Sequence, residues 1–278
     1  MNPTNPLGTT ASRFDVTSPD GTALAVWVDG DGPALVMVHG SIADHTTFDP
    51  FVEVLRRDLT TFCMDRRGFG GSTEEPAPYS LERDFDDVAA VVDAVAALTC
   101  LPVGLWGHSY GANCAMGGAA RTGNVHHLVL YEPSLGLRYP PGSIEAIEAA
   151  LAAGDREETI VRVLVDVLEM TDDDIEALRA DPLWPTRVAA AHTVPRECRV
   201  EDGWVFQPGQ FEAVRCPTLF LAGSESVPEV AKATEAAAAA IPNSQILTLD
   251  GHGHFAHKTH PELISGIVRR FINGATPG

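Results

Sequence analysis

The sequence predicts an α/β fold: a three-layer sandwich around a mostly parallel sheet of eight strands, with one inserted helical segment. Short apolar runs alternate with helical spacing over residues 34–131 and again over residues 218–271, which is typical of parallel strands joined by right-handed helical crossovers. Residues 133–215 interrupt this alternation with helical patterns. We therefore expect a core domain of residues 1–132 and 216–278, and an inserted helical cap of residues 133–215.

The chain opens with two strand-like runs separated by the turn residues Pro19, Asp20 and Gly21, which predict an antiparallel hairpin. Strands are predicted over residues 13–17, 24–28, 34–38, 60–64, 101–106, 125–131, 218–221 and 245–249. Helices are predicted over residues 48–57, 80–98, 112–121, 143–152, 157–168, 172–179, 228–240 and 261–271. Ser80 is expected to cap the helix that follows it. Prolines in the cap are expected to break helices, at Pro182, Pro185, Pro195 and Pro208.

Composition limits the classes of partner. The 278 residues carry 38 acidic and 19 basic side chains, a net charge of −19, which repels nucleic acid and anionic membranes. We expect neither as a partner; a monomer and a homodimer are both compatible with the sequence. The five cysteines are odd in number and lack a CxxC pair, so we expect small core or boundary residues rather than disulfides or a zinc site. With no targeting segment or membrane-spanning run, the expected location is cytoplasmic.

The stretch Gly107-His108-Ser109-Tyr110-Gly111 carries the clearest chemical signal. It follows an apolar strand and precedes a run of small residues with helical character. A GxSxG sequence between a strand and a helix is typical of a nucleophile elbow, in which a sharp turn presents the serine hydroxyl. We therefore predict that Ser109 is a nucleophile. The glycine-rich residues 65–72 lack the lysine of a phosphate-binding loop, so we interpret them as a structural turn.

Four motifs follow strands in order: His39-Gly40, Asp65-x-Arg67-Gly68-x-Gly70-x-Ser72, the serine elbow, and Gly253-His254. Together they resemble the α/β-hydrolase superfamily over nearly the whole chain outside the cap. The resemblance implies an α/β-hydrolase sandwich with a helical lid, and it implies His254 as the general base. A nearby histidine run, from His252 to His260, is also compatible with a metal cluster, but thiolates are lacking; we expect no metal and no cofactor.

The catalytic acid departs from the family pattern. The family usually has an aspartate three residues beyond a glycine after the seventh strand, and this chain has Ser226 there. Two carboxylates are alternatives: Glu132 at the end of the sixth strand, and Glu225 in the loop with Ser226. We favour Glu132, because a residue at a strand end is more rigidly oriented than one in a loop. The oxyanion hole is predicted at the backbone amides of Ser41 and Tyr110.

These residues predict an enzyme that cleaves a small, partly apolar ester, lactone or thioester through an acyl-enzyme on Ser109. A serine nucleophile argues against haloalkane dehalogenase and epoxide hydrolase chemistry, which uses an aspartate. One alternative is a ligand-binding or signalling protein that has lost turnover; others are an acyltransferase, a perhydrolase or a C–C hydrolase. Cap residues that are candidates for the substrate pocket are Leu135, Leu137, Tyr139, Leu183, Trp184 and Trp204, although we expect most of them to fill the apolar core of the cap instead. Three cap arginines, Arg138, Arg187 and Arg196, are candidates to contact a substrate carboxylate, but arginines on a helical cap are usually solvated, so we expect them at the surface.

Overall fold

A computed structural model describes residues 12–73 and 78–274. The eight strands form one sheet: β1 (Ser12–Thr17), β2 (Ala23–Asp29), β3 (Ala34–Val38), β4 (Thr60–Met64), β5 (Val103–His108), β6 (Val125–Tyr131), β7 (Thr218–Gly223) and β8 (Ser244–Leu249). Their order is β1-β2-β4-β3-β5-β6-β7-β8. The β1–β2 and β2–β4 pairs are antiparallel and the remaining pairs are parallel, so the predicted hairpin and mostly parallel sheet are confirmed.

The helices of the core are α1 (Asp49–Leu55), α2 (Leu81–Thr99), α3 (Tyr110–Ala119), α9 (Pro228–Ala240), α10 (Ala256–Thr259) and α11 (Pro261–Ile272). Apolar side chains of α2, α3 and α9 pack on one face of the sheet, and those of α1, α10 and α11 pack on the other. This burial of both faces explains why β3 and β5 read as continuous apolar runs, since neither side of these strands meets water. The three layers match the prediction.

Five helices lie between β6 and β7: α4 (Ser143–Ala152), α5 (Arg156–Asp166), α6 (Asp172–Arg179), α7 (Trp184–Ala189) and α8 (Val194–Gly203). We call residues 133–215 the cap segment. Most of its buried apolar side chains form their own cluster, which Ile42 and Val230 of the core join, whereas Leu135, Phe211 and Val214 pack in the core. The division into two domains remains an interpretation of this arrangement.

Several local expectations were wrong. Pro185 and Pro195 were expected to break helices, but they lie in the first turns of α7 and α8, where a missing amide proton costs no helical hydrogen bond. Ser80 occupies the position before α2, yet its side chain makes no capping hydrogen bond. Cys100 is exposed, because it ends α2 in a left-handed conformation instead of joining the core. The absence of a targeting segment was inferred partly from residues 1–6, which lie outside the described residues.

Within the described ranges, none of the helices combines the length and apolar character needed to cross a bilayer.

Candidate active site

Ser109 occupies a tight turn between β5 and α3. Its backbone has φ +55° and ψ −127°, a left-handed conformation that is strained for a residue with a side chain. Two contacts stabilise the turn. The Ser109 amide donates to the Tyr131 carbonyl at 2.9 Å. Gly111 packs so closely on β3 that an added Cβ would lie 2.3 Å from the His39 carbonyl oxygen. The serine therefore lies at the carboxyl edge of the sheet, as the elbow motif predicts.

Ser109 lines a cavity that is partly open to solvent. His108, His254 and Glu132 line the same cavity from the core. Much of the rest of the wall is aliphatic and comes from both core and cap segment, at Ile42, Ala43, Leu137, Val163, Leu164, Val167, Leu168 and Val230. The wall therefore combines a serine, a histidine and a carboxylate with an apolar enclosure suited to a small organic ligand.

His254 is fixed by contacts on its backbone and its ring. Its Nδ1 lies 2.5 Å from Oε2 of Glu132. The carbonyl oxygen of His254 accepts a hydrogen bond of 2.9 Å from Nε2 of His108, whose ring centroid lies 4.5 Å from that of His254. A carboxylate accepts hydrogen bonds, so Nδ1 of His254 carries the proton in the neutral ring. Nε2 of His254 is then the nitrogen able to accept a proton.

Glu132 follows β6 directly, with φ +48°, and its side chain is 1% exposed. Besides His254, it accepts two hydrogen bonds of 2.6 Å on Oε1, from the Gly223 amide and from the Ser226 hydroxyl. Burial alone would raise the pKa of the carboxyl, but the hydrogen bonds from His254, Ser226 and Gly223 outweigh it and lower the pKa of Glu132. The side chain therefore remains a carboxylate at neutral pH.

Glu225, the alternative acid, is exposed. Its amide donates to the His252 carbonyl at 3.0 Å, and its carboxylate receives a long 3.4 Å contact from the Ser224 hydroxyl. Of the two candidate acids, Glu132 is the one that contacts His254.

Two predicted oxyanion residues lie beside the serine. Tyr110 is the first residue of α3, so its amide has no acceptor within the helix. Ser41 lines the cavity, and the preceding Gly40 packs on the elbow: an added Cβ there would lie 3.0 Å from the Cβ of Ser109. The loop after β3 and the first turn of α3 thus flank the serine hydroxyl, although the roles of both amides remain predictions.

The other buried histidines near the serine are structural. His39 donates from Nδ1 to the Gly40 carbonyl at 2.8 Å and accepts from the Arg66 amide at 3.0 Å. Burial, with the Arg66 charge, lowers its pKa to about 4. Burial likewise lowers the pKa of His108 well below its ordinary value, so both rings are neutral.

In the part of the chain that the structure describes, the group with metal-ligand spacing is Asp44, His45 and Asp65, rather than the histidine run after β8. Asp65 already accepts hydrogen bonds from Trp27 Nε1, the Gly71 amide and His45, which hold the loop after β4. These bonds give Asp65 a structural role.

Of the cap residues considered for the pocket, two line the cavity and others are buried in apolar clusters, as expected for most of them. Leu137 and Tyr139 line the cavity, whereas Leu135 and Trp184 are buried in apolar clusters of the core and cap segment, and Trp204 packs against the core. Two charged residues also line the cavity: Glu201 of α8, which the sequence did not suggest, and Arg187, for which the surface was favoured over a substrate contact but which is 5% exposed. The sequence does not show whether a charged side chain on a helix points towards the interior or towards the solvent.

Comparison with known proteins agrees with this arrangement. The model of the Alpha/beta hydrolase family matches residues 35–266. A curated relative, the pimeloyl-[acyl-carrier protein] methyl ester esterase of Xanthomonas campestris pv. campestris (strain B100), is 28% identical over 267 residues, covering 88% of this chain and 97% of its own.

Two solved structures are similar over almost the whole chain. An alpha/beta hydrolase from Sphaerobacter thermophilus DSM 20745 has a TM-score of 0.81 at 28% identity, with 93% of this chain and 100% of that one covered. A thermophilic esterase from Thermogutta terrifontis, with malate bound, has a TM-score of 0.72 at 25% identity, covering 95% and 99%.

The chain therefore belongs to the alpha/beta hydrolase family. This confirms the predicted fold and family. The predicted class of enzyme agrees with the ester hydrolysis for which the curated relative and the Thermogutta protein are named.

Proposed function

We propose that this protein is a serine esterase that cleaves a small, partly apolar carboxylic ester, with Ser109 as nucleophile, His254 as general base and Glu132 as the acid that orients it. The observation that supports this most directly is the 2.5 Å contact between His254 Nδ1 and Glu132 in the cavity that Ser109 lines. A carboxylate in that place selects the ring tautomer whose Nε2 accepts a proton, and it stabilises the imidazolium that forms.

The proposed reaction assigns one role to each of these side chains. Nε2 of His254 takes the proton of the Ser109 hydroxyl as the oxygen attacks the ester carbonyl, and the tetrahedral oxyanion accepts hydrogen bonds from the amides of Tyr110 and Ser41. Collapse breaks the ester C–O bond, and His254 returns the proton to the leaving alcohol. Water then attacks the acyl-enzyme with His254 again as base, releasing the carboxylic acid and restoring Ser109.

The aliphatic wall favours an acyl chain of modest length. The Xanthomonas relative is named for a methyl ester, which suggests a small alcohol as the leaving group here too. Lactones and thioesters react through the same intermediate. The alternative of a ligand-binding protein without turnover was motivated by the serine at position 226, and the contact between Glu132 and His254 weakens that motive. No contact among the described residues of the site favours an acyltransferase, a perhydrolase or a C–C hydrolase.

The test is hydrolysis of p-nitrophenyl butyrate and methyl butyrate by wild type and by Ser109→Ala. The variant should lose about a thousandfold or more in kcat, since it removes the nucleophile. Ser244→Ala is the matched control, because Ser244 starts β8 at the opposite edge of the sheet and donates to the Ala238 carbonyl. It should retain activity within about twofold. A Ser109→Ala protein that cleaves either ester at the wild-type rate would contradict the proposal.

A further inference from the structure

Arg187 is a buried arginine in the wall of the catalytic cavity. It lies on α7 of the cap segment and is 5% exposed, whereas arginines are rarely buried unless they are paired. Among the described residues that line this cavity, it is the one with a permanent positive charge. Its position therefore requires an explanation beyond the usual solvated role of an arginine on a helix.

The protein supplies the guanidinium of Arg187 with few and distant negatively charged partners. Its Nη2 lies 3.5 Å from Oδ2 of Asp181, beyond the distance of a strong charge-assisted hydrogen bond. The same oxygen lies 3.5 Å from Nζ of Lys258, so two cations share one carboxylate. Asp44, the other nearby carboxylate, accepts hydrogen bonds from the amide and hydroxyl of Thr46.

One donor of the guanidinium has no protein acceptor. The Nε of Arg187 is buried and lacks a hydrogen-bond partner among the described residues. Burial lowers the pKa of Arg187 despite the opposing effect of Asp181, which reflects the same shortage of negative charge. A buried donor left without an acceptor is costly, and a ligand oxygen would remove that cost.

The two carboxyl groups on the wall have hydrogen-bond partners within the protein. Glu132 is bonded to His254, and Glu201 accepts a hydrogen bond from the Tyr139 hydroxyl. Between these groups the wall is largely aliphatic. An entering molecule therefore meets the serine and histidine, a run of methyl and methylene groups, and one cation.

We infer that Arg187 is a specificity-determining residue that binds a carboxylate of the substrate, so that the preferred substrates are monoesters of short dicarboxylic acids, with an aliphatic chain between the scissile ester and the free carboxylate. This inference rests on the proposed esterase function and narrows it to one class of ester. The carboxylate accepts hydrogen bonds from the guanidinium, and the chain lies against the aliphatic wall.

The first test needs no variant. Monomethyl adipate is compared with methyl hexanoate and with the methyl ester of adipic acid monoamide, which have similar length but no charge. Wild type should show a kcat/KM for the charged ester about tenfold or more above those of both neutral esters, mainly through KM, as expected for one charge-assisted hydrogen bond in a buried site. Equal or lower kcat/KM for the charged ester would overturn the inference.

Variants of Arg187 then test whether this side chain causes the preference for the charged ester. Arg187→Met should reduce the ratio of charged to neutral kcat/KM to near one, and Arg187→Lys should restore part of it. The matched control is Arg162→Met, which replaces a more exposed cap arginine that pairs with Glu158 on α5. It should leave the ratio unchanged. If Arg187→Met fails to fold, Arg187→Lys and the wild-type comparison still decide. A preference that survives in Arg187→Met would also overturn the inference.

Measurements of ligand binding distinguish the proposed carboxylate site from the proposed esterase activity. Ser109→Ala, which should not turn over substrate, is titrated with adipate and with hexanoate by calorimetry. Tighter binding of adipate that disappears in Ser109→Ala/Arg187→Met supports the carboxylate site even if no ester is cleaved. Turnover of p-nitrophenyl butyrate that depends on Ser109, combined with equal binding of the two acids, supports the esterase and rejects the carboxylate site.

Discussion

The hydroxyl of Ser226 lies 2.6 Å from Oε1 of Glu132. Ser226 occupies the sequence position where the family resemblance led us to expect a catalytic aspartate, and here it donates a hydrogen bond to a glutamate at the end of the neighbouring strand. In the proposed site, position 226 therefore supports the acid and does not supply it. This contact, together with the Gly223 amide, orients the carboxylate that touches His254.

Replacement of the two candidate acids should give very different results. Glu132→Gln should lower kcat on p-nitrophenyl butyrate by about a thousandfold, because the amide neither favours the productive tautomer of His254 nor balances its charge. Glu225→Gln should stay within about twofold, because that side chain is exposed and does not contact His254. A larger fall in Glu225→Gln would assign the acid to the loop instead.

A second pair of variants tests whether the two acid positions are interchangeable. Ser226→Asp in the Glu132→Gln background places a carboxylate one strand away from the original one. We expect it to recover at least tenfold of the lost kcat, since a carboxylate at either strand end can face the same ring nitrogen. Ser226→Ala in the wild-type background should cost only about tenfold or less, since Glu132 keeps its other hydrogen bonds. No recovery in the double variant would indicate that the introduced carboxylate does not reach His254.

Glu201 should make stability depend on pH. Burial raises its pKa to about 7, against the hydrogen bonds from Ser134 and Tyr139. The pKa of Glu201 is therefore higher in the folded protein than its unfolded value of about 4.5, so the folded state binds the proton more tightly. As a consequence, the contribution of Glu201 to the free energy of unfolding declines as the pH rises from about 4.5 to about 7. Glu201→Gln should remove this decline, about 3 kcal/mol in the free energy of unfolding.

The check is urea unfolding of wild type and Glu201→Gln at pH 5 and pH 7.5. The variant should gain stability relative to wild type at the higher pH. If the difference in the free energy of unfolding between wild type and Glu201→Gln is the same at pH 5 and pH 7.5, then Glu201 is ionised in the folded protein.

The cap segment is connected to the core by a buried ion pair. Nη2 of Arg66, in the loop after β4, donates to Oε1 of Glu197 on α8, and each side chain is 1% exposed. Glu197→Ala leaves this arginine in the interior without its main partner and should cost about 3–5 kcal/mol in the free energy of unfolding. The double variant Glu197→Leu/Arg66→Met should be less destabilised than Glu197→Ala. Urea unfolding measures both; a cost below about 1 kcal/mol for Glu197→Ala would contradict the assigned role.

Close packing at the elbow predicts a contrast between two glycines. Gly111→Ala places a methyl group 2.3 Å from the His39 carbonyl oxygen, so the loop after β3 or helix α3 must move. We expect a loss of about 2–3 kcal/mol of stability and a lower kcat. Gly123→Ala meets nothing within 4 Å and should stay within about 0.5 kcal/mol. Thermal unfolding and ester hydrolysis of both variants make the comparison; equal effects would mean that the elbow tolerates the methyl group.

The positions of the strands along the chain and the position of the nucleophile could be predicted from sequence because both depend on local patterns. Apolar runs such as β3 are buried on both faces, and the glycines around Ser109 permit a turn that other residues would block. The cap segment was less predictable. A proline reads as a helix break, but Pro185 lies in a first helical turn, and the direction of a side chain such as Arg187 depends on how helices pack. The choice between Glu132 and Glu225 likewise depends on a contact with a histidine far along the chain, which no local pattern encodes.

The hydrogen bond between Ser226 and Glu132 also bears on how such sites evolve. Carboxyl ends of adjacent parallel strands lie roughly 5 Å apart, so two positions can orient the same histidine. A lineage that acquires a glutamate after β6 while it still has an aspartate after β7 keeps an acid throughout. A later change of that aspartate to serine would replace a redundant charge with a hydrogen-bond donor. On the proposed assignment of the acid, such a lineage would pass from one acid position to the other without an inactive ancestor.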